Sequence, residues 1–153
     1  MKICSVCLKN DILCNACSKK IASGQVTQVD VDISRAIHKL GIDADFIRSI
    51  DAGEYFVIIT DKKDSAIIIG RGGRNVKRIG TMLGKNIRII EDSKDEKLFI
   101  ERAIGAQVLG INKFYGQKEV HKIRVEGRYK SRVAPMESLV SKILGKNVKF
   151  VFE

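Results

Sequence analysis

The sequence predicts an α+β fold: a short cysteine-rich knuckle, then two small units, each a three-stranded sheet with helices packed on one face. Three observations carry that prediction. All four cysteines fall within the first 17 residues. The remainder repeats itself at an offset of 61 residues. Within the first repeat a glycine turn joins an apolar run to an amphipathic helical pattern. The expected boundaries are 1–29 for the knuckle and 30–92 and 93–153 for the two units.

The knuckle comes first. Cys4, Cys7, Cys14 and Cys17 read C-x2-C, six residues, C-x2-C. Each pair can turn two thiolates toward one point, and Leu8–Leu13 is long enough to fold the second pair back as a hairpin. That arrangement suits one tetrahedral Zn²⁺ per chain, held by four sulfurs. No ligand position is left for water, so the expected role is structural, and the metal supplies folding energy that so thin a core lacks. Other chemistries use the same residues. An iron–sulfur cluster would take the same four thiolates. Redox dithiols call for a strand–helix context of the thioredoxin kind, which is not found here. Disulfides fit poorly with a chain that shows no export signal.

The first repeat follows. Ile33, Ile37 and Leu40 recur at helical spacing, Tyr55–Thr60 reads as a strand, and Val76, Ile79 and Leu83 mark a second helix. Leu83-Gly84-Lys85-Asn86-Ile87-Arg88-Ile89-Ile90 then returns as Leu144-Gly145-Lys146-Asn147-Val148-Lys149-Phe150-Val151. Before that second copy stand a helical pattern at Phe99, Ala103 and Ala106, a strand-like run at His121–Glu126, and helical positions Val140, Ile143 and Leu144. Each copy is expected to run helix, strand, strand, helix, strand.

Charge narrows the function. The chain has 28 Lys and Arg against 18 Asp and Glu, a net +10 that falls near +8 if four thiolates hold one zinc. Such an excess points to an anionic partner, with nucleic acid first. The basic residues gather in the back half of each repeat: eight against the single acid Asp64 over Lys62–Arg88, and nine against three over Lys118–Lys149. Aromatics make up only 6% and Trp is absent, which argues against a binder built on aromatic cages or stacking platforms. No targeting signal and no apolar run near the roughly 20 residues of a membrane span is found. A soluble, cytoplasmic protein without a membrane partner is expected.

The glycine turn is Ile67-Ile68-Ile69-Gly70-Arg71-Gly72-Gly73-Arg74-Asn75-Val76-Lys77-Arg78-Ile79. Gly70 and Gly73 lack Cβ atoms, so a phosphodiester backbone can approach closely. The helix that begins near Gly73 presents its N-terminal N–H groups to that turn. Arg71, Arg74, Lys77 and Arg78 place cations where phosphates would pass. It is not a nucleotide loop: G-x-x-x-x-G-K-[ST] is missing, and Asn75 stands where a dinucleotide fingerprint needs glycine.

Residues 68–79 resemble the signature of a KH domain, with Gly70-Arg71-Gly72-Gly73 as its G-x-x-G loop. The loop's place after two strands is similar to the type II, prokaryotic arrangement. Two such units in tandem resemble the archaeal NusA-like family of transcription elongation and termination factors, here with an added four-cysteine module. The resemblance covers 30–153 and is specific in 54–91. It implies single-stranded RNA clamped at Ile69, Gly70, Arg71, Gly72, Gly73, Arg74, Lys77 and Arg78, with RNA polymerase as a further partner. The second copy departs from the pattern: Ser131-Arg132-Val133-Ala134 stands where the glycines were, and Pro135 follows. A ribosome- or rRNA-associated role is the alternative, since type II KH domains and four-cysteine zinc modules both occur there. No catalytic constellation is found. His38 and His121 lack a nucleophile beside them, and Asp61 and Asp64 read as turn residues. The chain is therefore expected not to be an enzyme and to have no small-molecule substrate.

Overall fold

The computed structural model describes residues 2–153. The chain forms two compact units, Met1–Glu91 and Asp92–Glu153.

The first unit begins with two short helices, α1 (Ser5–Lys9) and α2 (Asn15–Ala22). Cys4 and Cys14 are their N-cap residues, so each C-x2-C pair sits on the first turn of a helix. Helix α3 (Gln28–Lys39) starts at a capping box in which Thr27 and Asp30 exchange hydrogen bonds. Asp30 is buried and also accepts bonds from the Ser49 backbone and hydroxyl, which ties the start of α3 to strand β1 (Arg48–Asp51). Replacing Asp30 by Ala strands three donors, and about 2–4 kcal/mol of stability should be lost. A urea titration with an unchanged midpoint would refute this.

Strand β1 pairs antiparallel with β2 (Tyr55–Thr60), and β2 pairs parallel with β3 (Asn86–Glu91), giving the order β1-β2-β3. β2 is apolar from Phe56 to Ile59 and buried from Phe56 through Thr60, as a central strand covered on both faces requires. Between β2 and β3 lie two helices, α4 (Lys62–Ile69) and α5 (Arg74–Leu83). The sequence pattern leaves out α4: the run Ala66–Ile69 precedes the turn as the last turn of a helix. Asp61 caps that helix by accepting from the Asp64 N–H at 2.7 Å, and Gly70 ends it. Ile33, Ile37, Phe56, Ile58, Ile68 and Ile79 form the core. Ile68 is the buried member of its run, whereas Ile69 and Val76 are only half-buried.

The second unit runs α6 (Glu96–Ile104), β4 (Val108–Phe114), β5 (Val120–Val125), a helical stretch, α8 (Glu137–Leu144) and β6 (Asn147–Phe152). Its sheet has the same plan: β4–β5 antiparallel and β5–β6 parallel. Helix α6 stops at Gly105 (φ 67°), so Ala106 lies past its end, yet it still packs in the core with Ile100 and Ile104. Unlike β2, strand β5 alternates buried and half-exposed residues, the pattern of a sheet with one wet face. Among the described residues no helix is long and apolar enough to cross a membrane.

Candidate functional site

Gly70, Gly72 and Gly73 have φ of 73°, 63° and 76°, a run of backbone that side chains with a Cβ rarely adopt. The turn is closed by the Gly73 N–H donating to the Gly70 carbonyl at 3.2 Å. Asn75 braces it, because its Nδ2 donates to the Ile67 carbonyl at 2.9 Å and joins the end of α4 to the start of α5. A Cβ on Gly70 would stand 2.8 Å from the Asn75 side chain, so this glycine is needed for packing. Gly72 faces open space, and there a side chain would block approach from outside. Sequence reasoning missed Asn75, whose polar side chain at the second position of an amphipathic helix was the available signal. An Asn75→Ala change should cost about 1 kcal/mol and speed amide exchange across 68–74. Unchanged protection there would refute the brace.

The structure brings the expected contact residues together. Arg71, Gly72, Arg74, Lys77 and Arg78 are exposed, and Ile69, Gly70 and Gly73 are half-exposed beside them. None of the four cations has an ion-pair partner among the described residues. The Gly73 N-cap offers α5 no side-chain acceptor, so the first turn of a ten-residue helix keeps its positive end toward the loop.

Val76 and Lys77 continue from the loop into an open cleft of about 620 Å³ between α5 and the start of β3. Gly80, Thr81, Gly84, Lys85, Asn86 and Ile87 complete it, with Glu54 at the rim. Its floor is Gly80, where a Cβ would lie 2.8 Å from the Lys85 carbonyl. The second unit has a cleft of about 410 Å³ in the matching place, lined by Ser138, Ser141, Lys142, Gly145, Lys146 and Asn147. The Gly-Lys-Asn of the repeated segment lines both clefts.

The second unit does not rebuild the glycine turn. Tyr55 pairs with Asn86 but Val120 with Asn147, so four residues, about one helical turn, are missing between its central and last strands. In place of α4 and the loop, the chain winds through α7 (Lys130–Val133) and two flanking 3₁₀ turns directly into α8. Val133 and Ala134 keep ordinary helical backbone, and Val133 is fully buried. Arg132 donates to the Gly105 carbonyl at 2.7 Å and stacks over Tyr129, so it is committed to holding the unit together.

The four cysteine sulfurs lie within 4.8 Å of one another, and the four residues could hold a metal ion. Sulfurs arranged tetrahedrally about zinc at about 2.3 Å stand about 3.8 Å apart. Here Cys4 Sγ is 3.4 Å from Cys7 Sγ and 3.9 Å from Cys14 Sγ, too far for a disulfide and right for a shared ion. Backbone N–H groups point at the sulfurs: Cys4 to Cys17 at 3.4 Å, Cys14 to Cys7 at 3.2 Å, and Cys17 to Cys14 at 3.5 Å. Without metal, hydrogen bonds from the Cys7 backbone and thiol pull the Cys4 thiol down to about 6. For Cys7, the bond from the Cys14 N–H favours the thiolate. Desolvation and the neighbouring sulfurs outweigh it and push this thiol up to about 12. The Cys17 N–H likewise lowers the Cys14 thiol, so Cys4 and Cys14 are held toward the thiolate and Cys7 toward the thiol.

The cluster is packed on the first unit's own core. Ile3, Cys7, Leu8, Cys17 and Val26 enclose Val31 of α3, and Arg35 Nε donates to the Cys7 carbonyl at 3.1 Å. The two histidines lie outside both sites. His38 is exposed. His121 is buried on β5 with Nε2 2.9 Å from the Glu119 carboxylate.

Residues 28–126 match the family model described as KH domain. The match begins with α3 and runs past the unit boundary to the end of β5. A solved structure described as "Crystal structure of APE1850" superposes with a TM-score of 0.67, covering 84% of this chain and 100% of that one at 22% identity. That likeness is one of fold. No curated protein matches the sequence.

Proposed function

The chain belongs to the KH domain family, and from that premise we propose that it is a single-stranded RNA-binding protein whose first unit clamps the sugar–phosphate backbone at Gly70–Gly73. The observation that carries this reading is the loop itself. Three glycines of one turn, Gly70, Gly72 and Gly73, have positive φ between two helices, and four cations without an ion-pair partner among the described residues surround them. Backbone phosphates fit against Gly72 and the start of α5, while bases reach into the cleft that begins at Val76. The second unit is a degenerate KH-like domain in this reading, with its loop residues turned to structural use.

The finer proposal is a NusA-like role in transcription elongation or termination, on nascent RNA and beside RNA polymerase in the cytoplasm. The tandem arrangement of two sheets of the same plan supports it. The four-cysteine cluster is proposed as one structural zinc, and it favours a second reading, attachment to rRNA. Co-purification from native extract separates the two. RNA polymerase in the eluate supports the first, and co-sedimentation with ribosomal subunits supports the second. The proposed roles are binding roles and involve no catalytic step.

A further inference from the structure

The wet face of the second sheet carries a different kind of surface. Register places Asn112, Lys122 and Lys149 side by side across β4, β5 and β6, all on one face. Lys122 lies over the Phe114 ring, with Nζ 4.6 Å from its centroid. Phe114 is 48% and Tyr115 77% exposed; the other seven aromatic residues of the chain are buried or half-buried. One row along, Arg124 lies across Gly110, where a Cβ would collide with it, and its guanidinium meets the Glu153 carboxylate at 3.7 Å. Lys122 and Lys149 have no ion-pair partner among the described residues, and no acid occupies the row they share.

A composition poor in aromatics argued against stacking, yet this fold gathers two of its nine aromatics at one exposed strand end beside lysines that have no ion-pair partner among the described residues. Exposed rings are costly in water and offer π-faces to unpaired bases, and flanking cations match phosphates. An acidic protein partner would use the lysines but gains less from a flat ring next to a sheet of polar side chains. We propose that the outer face of the second sheet is an additional single-stranded RNA contact, with a base stacked on Phe114 or Tyr115 and phosphates at Lys122 and Lys149. This rests on the RNA-binding reading above, but it uses a face away from the second unit's helices and its lost glycine loop. It gives that unit a function that its helical stretch at 127–136 no longer supplies.

The test uses the full-length protein, a 20-nucleotide single-stranded RNA of mixed sequence carrying photoreactive uridines, and three variants: Phe114→Ala, Lys122→Gln with Lys149→Gln, and Arg71→Asp with Gly72→Asp. The first two sites are surface positions, and circular dichroism with thermal melting checks their fold. Phe114→Ala should weaken binding at least about fivefold. The double lysine variant should make the log–log salt slope shallower by about 1.4, the value for two phosphates of a single strand. Cross-linked peptides should include 113–122 as well as 70–78. If wild type binds RNA and the sheet variants bind equally well with no cross-link in 113–122, the inference is overturned while the loop reading stands, and an acidic protein becomes the better occupant. If the sheet variants lose affinity and the loop variant does not, the loop reading falls and this one holds. No RNA binding by wild type overturns both.

Discussion

Changing Arg71 and Gly72 to aspartate together lowers affinity for single-stranded RNA by on the order of a hundredfold, about 3 kcal/mol. Arg71 is a free cation at the loop, and its loss removes a charged phosphate contact worth about 1.5–3 kcal/mol. The two new carboxylates then face phosphates in front of a helix N-terminus that favours anions of its own, so they compete for the same N–H groups. The Gly72 site is open, so the new side chain projects outward into the path of the strand. The protein tolerates it: aspartate is among the residues that adopt positive φ at a cost of about 1–2 kcal/mol. Filter binding at two salt concentrations, with a melting curve beside it, makes the measurement. An intact affinity in a folded variant would refute the loop as the clamp. A control in the second unit is Lys142→Glu, an exposed residue on its cleft. Val133→Asp would not serve, because Val133 is buried and a carboxylate there unfolds the unit.

The features legible in the sequence were those whose physics is local. Two C-x2-C pairs bring sulfurs together because each pair spans one helical turn, and the structure puts all four within reach of one ion. Gly-Arg-Gly-Gly reads as a turn because positive φ belongs to glycine. What escaped depended on contacts distant in the chain. Ile67-Ile68-Ile69 is β-branched and reads only as an apolar run, but it ends a helix, Lys62–Ile69, that Asp61 and Gly70 cap, and of the three the core takes up only Ile68. The Leu-Gly-Lys-Asn repeat fixed one register and hid the four residues lost from the second unit, a deletion visible only where strand pairs with strand. The wet sheet face was hidden for the same reason. Lys149 lies 27 residues beyond Lys122, and Phe114 comes from the opposite strand of the β4–β5 hairpin, so the three meet only through β-pairing.

Pairing across distance also decides what the metal does. Elemental analysis of protein prepared under reducing conditions without chelator should give about one zinc per chain. Stripping that zinc, or changing the buried Cys17 to serine, should do more than loosen the first 26 residues. Ile3, Leu8 and Val26 would leave Val31, which is fully buried on the face of α3 that looks away from Ile33 and Ile37. Re-exposing Val31 costs about 2 kcal/mol, and the lost Arg35 bond to the Cys7 carbonyl adds about 1 kcal/mol. At about 4–8 °C per kcal/mol, melting of the first unit should fall by roughly 12–24 °C. Amide exchange should rise along Gln28–Lys39 and stay unchanged in the second sheet. If α3 keeps its protection after chelation, the knuckle is an independent appendage and its packing on Val31 contributes nothing. Acid acts in the same direction as the chelator. Zinc needs four thiolates, and it must take the proton from Cys7, whose thiol is otherwise held up at about 12. Binding therefore releases protons, and affinity declines as pH falls from about 8 to about 6. Cys4, pulled down to about 6, is the last of the two to be reprotonated on that path. The loss of α3 protection should track zinc release through the same pH range, because both report one event: the cation leaving the sulfurs that fold the knuckle over Val31.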